Sequence, residues 1–302
     1  MVTIVGPTSS GKTSLALKLC KKHNGEIISA DSRQLYKKMD IGTGKIPITN
    51  AEYVYEKKDK YWEIDGVRVY GYDLCDPNFV YSASDFKFFF EKTKNSIEKR
   101  GKRVFLVGGT GLYIDVALGN VNIANVSKNQ KLREKLNTLA LPDLKKMLPE
   151  DILSSMNNSD INNPRRLIRR IEILNSDDKK EVVNKSSVVS DNKIVGLRGD
   201  RKLLYKRADY WVDIIWDKLI TETKFLILLG YENEATLNGI IYKTVKKLLK
   251  DEISEDESRD VIKYDLHKYI RRQQTWFNKK EGIEWFDISS DNFFNNVDKF
   301  IA

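Results

Sequence analysis

Residues 6–13 read Gly-Pro-Thr-Ser-Ser-Gly-Lys-Thr, the complete pattern G-x-x-x-x-G-K-S/T of a phosphate-binding loop. Gly6 and Gly11 allow backbone N–H groups to converge at the start of a helix, where a phosphate is favourably bound. We expect Lys12 to reach the terminal phosphates and the Thr13 hydroxyl to coordinate a bridging Mg²⁺ ion. The predicted phosphate-binding residues of the loop are Gly6, Thr8, Ser9, Ser10, Gly11, Lys12 and Thr13.

A carboxylate follows the second apolar run of the chain. Residues 26–29 read Glu-Ile-Ile-Ser, which predicts a buried strand, and Asp31 comes two residues later. We expect this strand to lie next to the first, Val2–Val5, so that Asp31 is at the carboxyl edge of the sheet where open α/β folds bind ligands. Asp31 is therefore predicted to be a Mg²⁺ ligand or a general base; the alternative is an N-cap on a following helix.

A third apolar run, Val104–Val107, ends in Gly108-Gly109. An ATPase or GTPase of this fold normally carries an Asp after such a strand, where it helps to hold Mg²⁺. Because glycine replaces that acid here, we predict that the loop holds a phosphate leaving group without hydrolysing a nucleotide.

The elements that would position these residues alternate between strand and helix patterns. Strand-like runs occur at 2–5, 26–29, 61–69, 104–107 and 194–197, and helical patterns at 201–229, 235–250 and 256–280. This alternation predicts an α/β fold, namely a P-loop NTPase-like parallel sheet with flanking helices. Residues 119–192 are rich in Asn, Ser and Lys and predict a helical insertion domain, with residues 175–192 as a flexible connection. The predicted core is 1–118 with 193–302.

Composition sets further bounds on this 302-residue chain. Fifty-two Lys and Arg against 43 Asp and Glu give a net charge of +9, which favours a polyanionic partner. The two cysteines, Cys20 and Cys75, lie far apart, as do the two histidines, His23 and His267, and the four have no metal-ligand spacing, so we expect neither a zinc site nor a disulfide. No signal peptide and no membrane-spanning apolar run is evident. We therefore expect a cytoplasmic monomer with no membrane partner and no obligate protein partner.

Several further blocks have a recognisable spacing after the phosphate loop. They are Asp-Ser-Arg-Gln-Leu-Tyr at 31–36, Met-Asp-Ile-Gly-Thr-Gly-Lys at 39–45, Tyr-Ser-Ala-Ser-Asp-Phe at 81–86, Gly-Gly-Thr-Gly-Leu-Tyr at 108–113, Asn-Pro-Arg-Arg-Leu-Ile-Arg-Arg-Ile-Glu at 163–172 and Tyr-Ile-Arg-Arg-Gln-Gln-Thr-Trp-Phe at 269–277. With these blocks, nearly the whole chain resembles the tRNA dimethylallyltransferase family, also called tRNA isopentenyltransferases. Enzymes of that family transfer a dimethylallyl group from its diphosphate to the exocyclic amine of the adenosine beside the anticodon.

The resemblance implies a role for each matching residue. Asp31 is the expected base for the adenine N6 amine, and Arg207 is the family arginine that contacts the diphosphate, so that Asp31, Thr13 and Arg207 form the expected catalytic set, with Mg²⁺ as cofactor. Dimethylallyl diphosphate and tRNA are the expected substrates. The expected tRNA contacts are Asp31, Ser32, Arg33, Gln34, Thr110, Arg133, Arg165, Arg166, Arg169, Arg271, Arg272, Gln273 and Trp276.

The chain departs from the family pattern at three places. Trp211 stands where a second arginine is usual, residues 240–244 lack a glycine and an acid, and residues 70–72 lack a histidine pair. Three alternatives remain open at this point. They are a P-loop kinase of small metabolites, a prenyltransferase acting on free AMP, ADP or ATP, and an inactive tRNA-binding protein.

Overall fold

The computed structural model describes residues 1–48, 52–121, 126, 129–176 and 192–302. The chain divides into two compact units, one formed by residues 1–121 and 187–302 and the other by residues 122–186. The strands are β1 (Val2–Val5), β2 (Gly25–Ser29), β3 (Tyr55–Lys57), β4 (Trp62–Ile64), β5 (Val67–Tyr70), β6 (Arg103–Val107), β7 (Lys193–Arg198) and β8 (Ile283–Asp287). All belong to the first unit and form one sheet of order β3-β4-β5-β2-β6-β1-β7-β8.

The described helices are α1 (Lys12–Lys22), α2 (Ala83–Lys99), α3 (Gly111–Ala117), α4 (Gln130–Asn137), α5 (Leu141–Lys146), α6 (Glu150–Ser155), α7 (Asn158–Ile161), α8 (Pro164–Leu174), α9 (Arg201–Leu228), α10 (Ile240–Leu248), α11 (Glu255–Phe277) and α12 (Phe293–Ile301). Within the described residues, no helix is both long enough and apolar enough to cross a membrane. Both cysteines are free thiols.

The centre of the sheet is parallel and fully buried. Val2 of β1 and Ile27 of β2 are both paired with Phe105, so β6 lies between these two strands. The prediction that β2 is the neighbour of β1 was therefore wrong. Val104–Val107 is apolar and buried, as a central strand requires, but β1 and β2 are buried too. The order of the strands therefore depends on pairing between runs that are distant in sequence. β1, β2 and β6 still end at the same edge of the sheet.

The sheet is not parallel throughout, because β3, β4 and β5 pair in antiparallel fashion at one edge. The predicted single strand at 61–69 is in fact the hairpin of β4 and β5. Its turn is Asp65-Gly66, with φ of 47° and 79°, which is the left-handed geometry that such two-residue turns require. β3, β8 and α12 were not predicted.

The second unit contains helices α4 to α8 around a small apolar core. Its fully buried members are Leu136, Leu144, Leu148, Leu167, Ile168 and Ile171. α8 begins at Pro164, and the preceding Asn163 side chain accepts hydrogen bonds from the N–H groups of Arg165 and Arg166. Of the predicted connection at 175–192, residues 177–191 lie outside the described residues.

Candidate active site

The phosphate loop leaves β1 and enters α1 with three residues in the left-handed region of φ. Gly6 has φ 144°, Ser9 has φ 63° and Gly11 has φ 85°. A Cβ atom at Gly6 would lie 2.7 Å from the carbonyl oxygen of Leu197 on β7. Glycine is therefore required at position 6 both by its backbone conformation and by the neighbouring strand.

Two polar side chains of this loop, Ser10 and Lys12, are buried, which leaves one without a hydrogen-bond partner and lowers the pKa of the other. The hydroxyl of Ser10 has no hydrogen-bond partner among the described residues, although the residue is only 2% exposed. The Lys12 ammonium donates to the carbonyl of Pro7 at 2.7 Å. Burial lowers the pKa of Lys12 to about 8, while the nearby Asp31 carboxylate acts in the opposite direction. An orphaned hydroxyl and a desolvated ammonium in one loop suit an anionic ligand.

Asp31 lies in a turn after β2 rather than at the start of a helix, so the N-cap alternative does not apply. Its Oδ1 accepts a hydrogen bond of 2.9 Å from the N–H of Arg33. Burial raises the pKa of Asp31, although this hydrogen bond and the charges of Lys12 and Arg33 oppose the shift. A carboxylate with a raised pKa is a better proton acceptor than an ordinary surface aspartate.

The turn that carries Asp31 is fixed by hydrogen bonds from neighbouring residues. The Thr110 hydroxyl accepts from the N–H of Ser32 at 3.0 Å. Gln34 is buried, accepts from the Ser29 hydroxyl, and donates to the carbonyls of Thr43 and Gly44. Arg33 donates to the carbonyl of Thr236 in the segment before α10. The sequence predicted tRNA contacts for these side chains, and the structure also gives each of them an internal partner.

Gln273 on α11 connects the phosphate loop to the end of β6. Its Oε1 accepts from the N–H of Thr8 at 2.8 Å, and its Nε2 donates to the carbonyl of Gly109 at 3.1 Å. A Cβ at Gly109 would lie 2.2 Å from Nε2, so any larger residue there would displace the Gln273 amide. The Gln273 side chain is buried, with 5% of the residue exposed. The sequence did not predict this internal role, and the amide N–H of Thr8 is already used by Gln273.

The phosphate loop and the Asp31 turn line one cavity of about 880 Å³. Its other walls include residues 42–44 and 46–48 and parts of helices α9, α10, α11 and α12. Of the predicted residues, those that line it are Thr8, Ser9, Ser10, Gly11, Lys12, Thr13, Asp31, Ser32, Arg33, Gln34, Arg207, Arg272 and Gln273. Gly6, Thr110, Arg271 and Trp276 are not in the lining.

The helical wall brings cations and aromatic rings to the cavity. Neither Arg207 nor Arg272 has a hydrogen bond or ion pair within the described part of the chain, and the Arg272 guanidinium lies over the ring of Tyr269, 5.6 Å from its centre. Both guanidinium groups are therefore available to an anion. Trp211, where the family pattern has arginine, also lines the cavity. Tyr269 was not predicted; burial and the Asp31 charge raise its pKa.

Two predicted residues of α11 lie beside the cavity lining. Arg271 donates to the hydroxyl of Tyr205 at 3.0 Å. Trp276 is 40% exposed and packs over Gly111, where a Cβ would lie 2.0 Å from the indole nitrogen. The Lys280 ammonium lies 5.3 Å from the centre of the Trp276 ring.

In the second unit, two of the four predicted arginines are paired with a buried acid. Arg133 donates to both oxygens of Glu172, and Arg169 donates to one of them. Burial opposes ionisation of Glu172, but these hydrogen bonds prevail and lower its pKa to about 2. Arg166 is paired with Asp160, and Arg165 is exposed. Glu172 therefore organises this unit, and its position in the 163–172 block was the only sequence signal for it.

The fold and the cavity define a class of protein. A P-loop α/β core places Lys12 and Asp31 in the wall of one cavity. Gly108 directly follows β6, at the position where an ATPase or GTPase of this fold normally has a Mg²⁺-binding acid. A Cβ at Gly108 would lie 2.2 Å from the carbonyl oxygen of Ala30. The backbone after β2 therefore packs too closely against position 108 for an aspartate side chain to fit there. This arrangement suits transfer of a group away from a phosphate rather than nucleotide hydrolysis.

Comparison with known proteins is consistent with that class and narrows it. Residues 34–280 match the family described as IPP transferase, and residues 1–58 match the family described as isopentenyl transferase. The tRNA dimethylallyltransferase of Clostridioides difficile (strain 630) is 36% identical over 99% of this chain and 94% of its own length. That of Bacillus anthracis is 33% identical over 100% and 95%. The chain belongs to the tRNA dimethylallyltransferase family.

Solved structures agree with the fold. The full-length tRNA isopentenylpyrophosphate transferase of Bacillus halodurans is 31% identical, with a TM-score of 0.70 over 99% of this chain and 94% of that one. A eukaryotic dimethylallyltransferase acting on tRNA gives a TM-score of 0.77 at 23% identity, which is a likeness of fold alone.

Proposed function

We propose that this protein transfers a dimethylallyl group from dimethylallyl diphosphate to N6 of the adenosine adjacent to the anticodon in tRNA, releasing diphosphate. The observation that carries the proposal is the cavity shared by Lys12, Asp31 and Arg207 in a chain of this family. Residues for the leaving group and for the nucleophile thus line the same space. The kinase and free-nucleotide alternatives are not favoured by the family match.

The reaction has one bond made and one bond broken. The lone pair of N6 attacks the allylic C1, the electron pair of the C1–O bond leaves with the diphosphate, and an N6 proton is accepted by the Asp31 carboxylate. Adenine N6 is a poor nucleophile because its lone pair is delocalised, so a base is useful at this step. Lys12, Arg207 and the loop amides stabilise the charge that develops on the diphosphate.

We also propose that Mg²⁺ assists diphosphate binding. The Thr13 hydroxyl lines the cavity next to Lys12, and a hydroxyl oxygen is a type of ligand that Mg²⁺ accepts beside phosphate oxygens. Thr13 would hold the ion, and the ion would neutralise charge on the leaving group. No other protein residue is assigned to it.

For tRNA recognition, we propose that the adenosine is flipped out of its stack into the cavity beside Asp31, Ser32 and Arg33. Arg165 and Arg166 in the second unit are proposed to contact backbone phosphates, because they are the predicted arginines there that do not pair with Glu172. Arg272 and Trp276 are proposed to contact nucleotides near the cavity. A tRNA substrate also suggests that the protein acts in the cytoplasm.

The test uses purified protein, Mg²⁺ and radiolabelled dimethylallyl diphosphate, offered total tRNA or AMP, with ATP hydrolysis measured in parallel. We expect label in tRNA alone. Label in AMP would assign the protein to prenylation of free nucleotides, and ATP turnover without transfer would make it a kinase. Lys12→Ala is the matched control: it removes the proposed contact to the diphosphate and leaves Asp31 in place, so transfer of label to tRNA should fall.

A further inference from the structure

A single carboxylate on α9 binds three successive backbone amides of the loop that forms one wall of the cavity. Glu222 Oε2 accepts from the N–H groups of Asp40 and Ile41, both at 2.7 Å. Its Oε1 accepts from the N–H of Gly42 at 3.0 Å and from the hydroxyl of Tyr242 at 2.7 Å. We call residues 40–44 the Gly42 loop. Four donors converge on this one side chain.

The chemistry of this contact requires a carboxylate. An ionised glutamate offers about four acceptor sites and no donor, whereas glutamine offers an acceptor oxygen and two donors. Three main-chain N–H groups cannot reverse their direction, so a side-chain NH₂ placed among them leaves at least one amide unpaired. Tyr242 supplies the fourth hydrogen bond to Glu222 and packs directly against Gly42. Tyr242 is 2% exposed, and a Cβ at Gly42 would lie 2.6 Å from its ring.

The other side of the Gly42 loop is attached to the turn that carries Asp31. The carbonyls of Thr43 and Gly44 accept from the side-chain amide of Gln34 at 3.2 and 3.1 Å. Gln34 is three residues from Asp31 and buried. A continuous series of hydrogen bonds therefore runs from Glu222 through the Gly42 loop to Gln34. Residues 42–44 and Gln34 all line the cavity.

We propose that Glu222 is a positioning residue for the transfer reaction. It holds the Gly42 loop in the conformation that shapes the cavity wall and, through Gln34, fixes the turn that presents Asp31 to the adenosine amine. Glu222 does not line the cavity and does not touch substrate. This inference rests on the proposed function, because the step that it supports is proton transfer to Asp31.

The test compares Glu222→Gln with Asp217→Asn as a matched control. Asp217 is on the same helix and carries the same charge, and its side chain has no ion pair or hydrogen bond within the described ranges. Four quantities are measured: the single-turnover transfer rate at saturating dimethylallyl diphosphate and tRNA anticodon stem-loop, the Kd for pyrophosphate, the Tm, and hydrogen exchange of a peptide spanning residues 39–48.

We expect Glu222→Gln to lower the transfer rate by about tenfold or more, toward the roughly 100-fold that a misplacement of about 1 Å can cost. Pyrophosphate binding should stay within about twofold, because the phosphate loop makes no contact with Glu222, and exchange at residues 40–42 should increase. Asp217→Asn should match the wild type in all four measurements. If Glu222→Gln does not fold, Tyr242→Phe carries the test, with a smaller loss of rate and faster exchange in the same peptide.

An unchanged transfer rate in folded Glu222→Gln, or equal losses in rate and pyrophosphate affinity, would overturn the proposal. The same holds if Glu222→Gln unfolds and Tyr242→Phe behaves as wild type, because Glu222 would then have a structural role only. If the wild type itself transfers nothing to tRNA, the proposed function fails instead. The exchange measurement still tests in that case whether Glu222 holds the loop.

Discussion

Replacing Asp31 by asparagine separates proton acceptance from diphosphate binding. The side-chain oxygen of the asparagine can keep the 2.9 Å hydrogen bond from the N–H of Arg33, so the turn after β2 retains its local geometry. The other carboxylate oxygen becomes an NH₂ group, which cannot accept the N6 proton. The substitution also removes a negative charge that raises the pKa of Lys12.

The expected magnitude follows from these two effects. Loss of a general base costs about 10² to 10⁴ in rate, or roughly 2.7 to 5.4 kcal/mol of transition-state stabilisation. The Lys12 pKa should fall below its present value of about 8, which alone weakens anion binding. Removing a carboxylate near a polyanion acts the other way. At pH 7 we therefore expect the Kd for pyrophosphate to change by about threefold or less.

The assay is single-turnover transfer from labelled dimethylallyl diphosphate to an anticodon stem-loop, measured over a series of pH values from acidic to neutral, beside pyrophosphate calorimetry. In the wild type the rate should rise with pH through the raised pKa of Asp31, because only the ionised form accepts a proton. In Asp31→Asn that rise should disappear. A rate within about tenfold of wild type, or an unchanged pH profile, would refute the assignment of Asp31 as the base.

Three further predictions concern groups whose environment is known. Pyrophosphate affinity should fall as pH rises through about 8, because Lys12 then loses its proton, and Lys12→Met should weaken binding and lack that change; calorimetry across pH 7 to 9 measures both. Gln273→Leu should weaken pyrophosphate binding by about tenfold, because the Thr8 N–H loses its buried partner and the phosphate loop loses the contact that fixes its conformation. An unchanged affinity would show that Gln273 does not hold the phosphate loop. Glu172 stabilises its unit above pH 4.5, and this stability should be lost as pH falls from there to about 2; thermal melts of wild type and Glu172→Gln should therefore converge at the lower pH.

The features that the sequence predicted correctly are those specified by neighbouring residues. The loop at 6–13 between β1 and α1 is specified by eight consecutive residues, and β1, β2 and β6 are each marked by their own apolar run. The hairpin of β4 and β5 was missed, although its Asp65-Gly66 dipeptide is a local signal that could have predicted the turn. β8 gave a weaker signal, because residues 283–287 are only half-buried or exposed and pair with β7 alone.

The features that were missed depend on partners distant in sequence. The position of β6 between β1 and β2 is a matter of strand order, which no single run of residues determines. Glu222 and the Gly42 loop are about 180 residues apart, and Gln273 and Thr8 are 265 residues apart. The periodicity of apolar residues can predict that Glu222 or Gln273 lies on a helix. It does not predict which distant backbone amide the side chain will hydrogen-bond.

The hydrogen-bonding capacity that each side chain has left is a physical criterion for sorting the predicted site residues. Gln34 and Gln273 use both ends of their amides on the protein itself, so a nucleotide could bind them only by displacing an existing bond. Arg207 and Arg272 line the cavity and donate to no residue that the structure describes, and Lys12 gives one hydrogen bond to a carbonyl that an anion can replace. Charge and unused donors together therefore favour the second group for substrate contact and the first for holding the cavity in shape. This division explains why the 269–277 block has both kinds of residue: Arg272 faces the cavity one residue before Gln273 holds the phosphate loop.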